Sequence, residues 1–116
     1  MVEKLVHWLS KEARYRIVEV LMSTRSEREL AKDLGVTSTA IYKYLERKTH
    51  PSDTTIARAL KILNEYEKER VYKLVADDII SAIEELLNNV PQDSPQLRRY
   101  VLDRLEYMLK KFNKLT

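Results

Sequence analysis

Apolar residues along this chain recur at three- and four-residue steps, a period that predicts helices. Val2, Leu5, Val6 and Leu9 mark a short first helix, with Trp8 beside them as a residue of the core or of a dimer contact. Ser10 is placed to cap a second helix whose apolar face is Tyr15, Ile17, Val18, Leu21 and Met22. Ser26 and Glu29 have the Ser-x-x-Glu spacing of a capping box, which starts a third helix near Glu27. Leu30, Ala31 and Leu34 share its inner face. Gly35, the only glycine in the chain, follows at the point where a left-handed residue ends a helix at least cost. Thr37 then caps a fourth helix with Ile41, Tyr44 and Leu45 directed inward. Residues 46–52 read as a polar loop, because Pro51 stops any helix from running through it. Ser52 caps a fifth helix with Ile56, Ala59, Leu60 and Leu63 inside.

Beyond Leu63 no helix breaker occurs before Pro91. Val71, Leu74, Val75, Ile79, Ile83, Leu86, Leu87 and Val90 form a strong stripe at helical spacing. Residues 91–95 make a turn, with Ser94 as cap and Pro95 at the first helical position. Leu97, Val101, Leu105, Met108, Leu109, Phe112 and Leu115 mark the last helix. The expected fold is therefore all-α: a helix-turn-helix DNA-binding domain over residues 1–66, followed by a C-terminal α-helical hairpin over residues 67–116. A lone hairpin offers too little surface to cover both stripes. A second copy of the chain is the favoured cover, through Val71, Leu74, Ile79, Ile83, Leu86, Leu105, Met108 and Phe112. Packing of the stripes onto the first domain is the alternative.

Composition narrows the function classes. With 116 residues, 44% of them hydrophobic, the chain is long enough to bury a core. It holds no cysteine, which excludes disulfides and thiolate metal sites, and His7 and His50 lack a paired ligand spacing. Neither a metal nor another cofactor is expected. No catalytic residues are expected either: a Cys nucleophile, a glycine-rich phosphate loop and a His–acid pair are all missing. Asp77-Asp78 and Glu84-Glu85 read as charge on the wet face of a helix. No apolar run is long enough for a membrane span, and Glu3 and Lys4 interrupt the amino terminus, so a cytoplasmic protein is expected. The net charge is +3. Residues 1–66 carry 12 Lys/Arg against 9 Asp/Glu, whereas residues 67–116 carry 9 of each. The excess falls in the half with the Gly35 turn, as a phosphate-facing module needs.

Residues 27–45 as a whole have the pattern of a helix-turn-helix, in which a glycine turn presents the second helix to the major groove. The segment that follows Pro51 is helical, so the β-hairpin of a winged helix is absent. Residues from about Lys11 to Leu63 resemble the Cro/phage-repressor (Xre-type) helix-turn-helix family of DNA-binding proteins. The resemblance is carried by Glu-Leu-Ala-Lys-Asp-Leu-Gly-Val-Thr at 29–37, by Ile41 to Leu45, and by Pro51-Ser52 with the helix ending Ala-Leu-Lys-Ile-Leu. It implies a four- or five-helix domain that binds duplex DNA, usually as a dimer at a pseudo-palindromic site. Members often place a phosphate-touching Gln at the start of the first motif helix. Glu27 stands there instead and would repel a phosphate, which leaves that contact to Arg25 or Arg28.

Thr37, Ser38, Thr39, Tyr42 and Lys43 are the outward residues of the second motif helix and the expected base contacts. Hydroxyls read bases with low stringency, and no Arg, Gln or Asn stands at the helix tip to make a bidentate contact. Modest direct specificity is expected, with DNA shape supplying part of it. Arg28, Arg47, Lys48, Thr49, His50 and Ser52 are the expected phosphate contacts, aided by the amides that open the fifth helix. Arg47 and Lys48 have a second reading, as caps on the carbonyl end of the helix. The leading function is a homodimeric, sequence-preferring binder of double-stranded DNA that regulates transcription. Two others stay open: a helical adaptor with a degenerate helix-turn-helix, and the DNA-binding subunit of a recombination, partition or replication complex.

Overall fold

The computed structural model describes residues 2–114. Leu115, the last position of the predicted terminal stripe, lies outside them. Among the described residues the elements are all helices: α1 (Glu3–His7), α2 (Lys11–Met22), α3 (Glu27–Leu34), α4 (Ser38–Leu45), α5 (Asp53–Lys61), α6 (Glu65–Asn89) and α7 (Pro95–Asn113). Two compact units divide between Ile79 and Ile80.

In the first unit α2 packs against α3, α4 and α5, α1 lies on α5, and α3 meets α4. Ile17, Leu21, Leu30, Leu34, Ile41 and Ile56 are fully enclosed and form the centre of the core. Short helices are marginal in water by themselves, so their ends need satisfied amides. Ser10, Ser26, Thr37 and Ser52 each accept from the amide three residues on, at 3.0–3.2 Å. The Glu29 carboxylate does not return a bond to Ser26, so the expected capping box is only half made. A complete one opens α6 instead. Asn64 Oδ1 accepts from the Glu67 amide at 2.8 Å, and the Glu67 carboxylate accepts from the Asn64 amide at 3.0 Å.

Several expected positions shift. On α2, Tyr15 and Met22 are only half-buried, while Ala13, Arg14 and Val20 are buried. Trp8 is 68% exposed and is no part of this core. The unit boundary falls thirteen residues beyond the expected one at 66/67, because the first half of α6 completes the N-terminal core. Val71 and Val75 are buried there, and Leu74 and Ile79 pack against it. Asp78 accepts from the Ser10 amide at 2.9 Å and from the Ser10 hydroxyl at 2.6 Å. Val71 therefore cannot serve a dimer contact; its side chain is already enclosed within its own chain.

Glu67 is the one fully buried carboxylate among the described residues. Thr24 and Arg25 both bond it, and Arg25 also reaches Asp33 at 3.4 Å and the Ile62 carbonyl at 2.8 Å. Burial pushes the Glu67 carboxyl upward, but the Asn64 amide, Thr24 and Arg25 together outweigh it and hold the group below its ordinary value of 4.5. A depressed folded-state value means that the stabilisation is present above the unfolded value and is lost as pH falls through the folded one.

The second unit contains the last turns of α6, the turn at 91–94 and α7. Val90 is buried, and Ile83, Leu87, Val101, Leu102 and Leu105 are half-buried. Ser94 occupies the cap position without a side-chain cap bond, and Pro95 opens α7 as expected. Leu86, Leu97, Met108, Leu109 and Phe112 are exposed.

Urea unfolding at stepped pH should show stability flat near neutrality and falling below about pH 4.5. Glu67→Gln should be less stable at pH 7 and should lose much of that acid slope. An acid slope as steep as the parent's would show that other carboxylates carry it.

Candidate nucleic-acid interface

Gly35 adopts the left-handed conformation, with φ 70° and ψ 34°. Its amide bonds the Lys32 carbonyl at 3.2 Å, and the Val36 amide bonds that of Ala31 at 3.0 Å, the double closure of a Schellman stop. The chain is thereby turned so that Thr37 caps α4, with Ile41 and Tyr44 buried beneath it. A Cβ on Gly35 would lie 2.6 Å from the Arg58 guanidinium, the movable end of an exposed side chain. The backbone sign, rather than space, makes glycine the fitting residue here.

The other end of α4 closes in the same way but with a different residue. Arg47 is left-handed at φ 57°, the only non-glycine residue with positive φ among those described. Its amide bonds the Tyr44 carbonyl at 3.1 Å, and the Lys48 amide bonds that of Lys43 at 2.9 Å. The Arg47 side chain compensates for this backbone by reaching α2. It donates to Glu12 at 2.9 Å, lies 3.5 Å from Glu19, and stacks 5.3 Å over the Tyr15 ring. The bond from Arg47 holds the Glu12 carboxyl below its ordinary range, and Glu12 in turn raises the guanidinium. Arg47 is therefore a clamp between α4 and α2, and its side chain, still exposed, is shared with the α2 carboxylates.

The outward face of α4 carries Ser38, Thr39, Tyr42 and Lys43, all exposed. Thr37 is exposed too; its hydroxyl accepts from the Ala40 amide and keeps its own proton to donate. Lys48 holds its ammonium 5.3 Å over the Tyr42 ring, so these two side chains form one cationic–aromatic unit beside Lys43. Thr49 and His50 are exposed, with His50 Nδ1 3.2 Å from the Pro51 carbonyl. The Ser52 hydroxyl accepts from the Thr55 amide at 3.2 Å and lies 3.1 Å from the Thr55 hydroxyl. Its contribution is to shape the start of α5. Arg28 is exposed and unpaired, whereas Arg25 is tied to Glu67 and Asp33. Of the two arginines considered for the backbone contact beside Glu27, Arg28 is the one available.

The sequence reading missed Arg14. This guanidinium is buried and donates to the carbonyls of Val6 at 2.8 Å, Leu9 at 3.2 Å and Pro51 at 2.9 Å. It also bonds Asp53 at 2.7 Å, and His7 lies 3.1 Å from the same carboxylate. The Arg14 bond holds Asp53 below its ordinary value of 3.8, with His7 adding to it. The acid at the start of α5 is thus drawn to Arg14, which lessens its opposition to an anion at that helix end. Arg14 stands in the Ala13, Ile17, Val18, Leu21 stripe, and that placement was the available signal.

Residues 22–70 match the family model described as helix-turn-helix, a span from the end of α2 into α6. This segment is a DNA-binding helix-turn-helix of the Xre/Cro type. No curated protein and no solved structure matches the chain. No helix among the described residues is long and apolar enough to cross a membrane.

Two substitutions separate the backbone and side-chain roles of Arg47. Arg47→Gly and Arg47→Ala both lose the clamp, but alanine also keeps the left-handed strain. The alanine variant should be less stable by about 1 kcal/mol in urea. Equal stability would show that the φ of residue 47 relaxes once the clamp is gone. Gly35→Ala should cost about 1–2 kcal/mol for the same backbone reason.

Proposed function

We propose that this chain is a homodimeric, sequence-preferring regulator of transcription that inserts α4 into the major groove of duplex DNA. The observation that carries the reading is the exposed face Ser38, Thr39, Tyr42 and Lys43 on a helix capped by Thr37 after the Gly35 turn and closed at its C-terminal end by left-handed Arg47. Buried Ile41 and Tyr44 fix which side of that helix faces outward. Hydroxyls and one lysine give this face few bidentate readers, so DNA shape supplies part of the preference. Lys48, Thr49, His50 and Arg28, with the unbonded amides opening α5, are assigned to phosphates.

The dimer is assigned to the second unit. Leu86, Met108 and Phe112 are exposed apolar residues on two amphipathic helices, and Ile83 and Leu105 are half-buried beside them. Large apolar side chains left open on one face are the usual mark of a protein contact. Leu74 and Ile79 are largely taken up by the N-terminal core and contribute little. Two-fold pairing requires two half-sites one helical turn apart, about 10 base pairs, or a multiple of it.

Selection from a random duplex pool should enrich a two-fold-symmetric sequence; recovery of an unbiased pool would reject the reading. Lys43→Ala should weaken the selected site by about 1–3 kcal/mol and relax one base position. Lys48→Ala should instead weaken all duplexes alike and reduce the salt slope by about one charge. Leu86→Asp with Met108→Asp should convert a dimer to a monomer of unchanged helix content in sedimentation. A parent that is already monomeric would remove the dimer from the proposal.

A further inference from the structure

The even charge of residues 67–116 is a cancellation of two opposite segments. Residues 67–94 hold three Lys/Arg and seven Asp/Glu, whereas residues 95–116 hold six and two. α7 is therefore a cationic helix, and its charge is not spread evenly around it. At 3.6 residues per turn, Tyr100, Arg104, Tyr107 and Lys111 fall in one stripe about 16 Å long, which borders Leu105, Met108 and Phe112 along a shallow depression. All four are exposed, Tyr107 by 71%.

The four strip positions hold no carboxylate, and Asp103 flanks them between Tyr100 and Tyr107. Asp103 is paired with Arg99 at 3.9 Å, and Glu106, on another face, with Lys110 at 3.4 Å. Arg104 donates instead to the Tyr100 hydroxyl at 3.1 Å and stacks 6.0 Å over its ring. Lys111 makes no ion pair among the described residues, and Lys110, Asn113 and Lys114 line a shallow depression with it and Tyr107. Among the described residues, Arg104 and Lys111 thus place two cations without a carboxylate partner two turns apart on one face. That arrangement suits a polyanion that lies along the helix.

We propose that this strip of α7 is a second contact for duplex DNA, gripping backbone phosphates and reading no bases. A guanidinium fork, an ammonium and phenol hydroxyls are the donors that phosphate oxygens accept from. DNA is also the polyanion that residues 22–70 already bring to this chain. The inference rests on that DNA-binding assignment, and it is independent of which bases α4 touches.

The test is the double variant Arg104→Ala/Lys111→Ala in the full chain, with duplex and single-stranded DNA of the same sequence titrated between 50 and 200 mM salt. Both side chains are exposed, so helix content and thermal unfolding should match the parent's. The slope of log affinity against log salt should fall by about two for each bound protomer on duplex, at 0.9 per phosphate contact. The ratio of preferred to mixed-sequence affinity should stay unchanged. A parent that binds duplex with a slope the variant retains would overturn the strip and leave the α4 reading standing. A parent that binds no duplex would overturn both. Weakening confined to single strands, or weakening that tracks loss of the oligomer in sedimentation, would also overturn the assignment, the latter in favour of a protein contact.

Discussion

A left-handed residue stands on each side of α4, and the placement of that helix depends on both. At Gly35 the conformation carries no side-chain penalty, so the turn into α4 is made where the chain has its single glycine. At Arg47 the penalty is real and persists because the side chain binds Glu12, Glu19 and Tyr15 on α2. The two stops hold the helix by different means, one by backbone freedom and one by a side-chain clamp. Between them, Ile41 and Tyr44 are buried and Ser38, Thr39, Tyr42 and Lys43 are left outside. A helix of eight residues has too little propensity of its own to form alone, so its outer face is defined by what its ends and inner face are tied to.

Two buried charges frame the rest of the N-terminal unit. Arg14 joins α1, the Pro51 loop and the start of α5 through four acceptors, and Glu67 joins the end of α2 to the start of α6. Each is fully bonded, which is the condition under which a buried charge is tolerated. Their common effect is positional: they fix loops that flank the helix-turn-helix. Arg14 also draws Asp53 away from a helix start that the proposed function assigns to phosphate.

Much of this was legible in the sequence because it depends on local rules. Ser10, Ser26, Thr37 and Ser52 cap where hydroxyls three residues before an apolar run should cap, and Gly35 is left-handed where glycine should be. The reading failed where long-range contacts decide. The Arg47 clamp is one such contact, since spacing along the chain says nothing of Glu12 and Glu19 some thirty residues earlier. Arg14 sat in an apolar stripe and was passed over as a charged residue. The apolar stripe of α6 was assigned to one role from end to end, yet Val71 and Val75 fill the first core while Leu86 stays exposed. Periodicity reports that a face is buried and is silent about the partner. The even charge of the second half likewise conceals an acidic segment followed by a basic one.

The account stands on the outward face of α4 as the surface that meets DNA. Backbone amide shifts recorded while duplex is titrated into the protein would locate that contact directly. The largest changes should fall on residues 38–43 and on the loop from Lys48 to Thr54, with the buried amides of α2 little moved. Changes that leave the first turn of α4 untouched while other parts of the chain respond would contradict it.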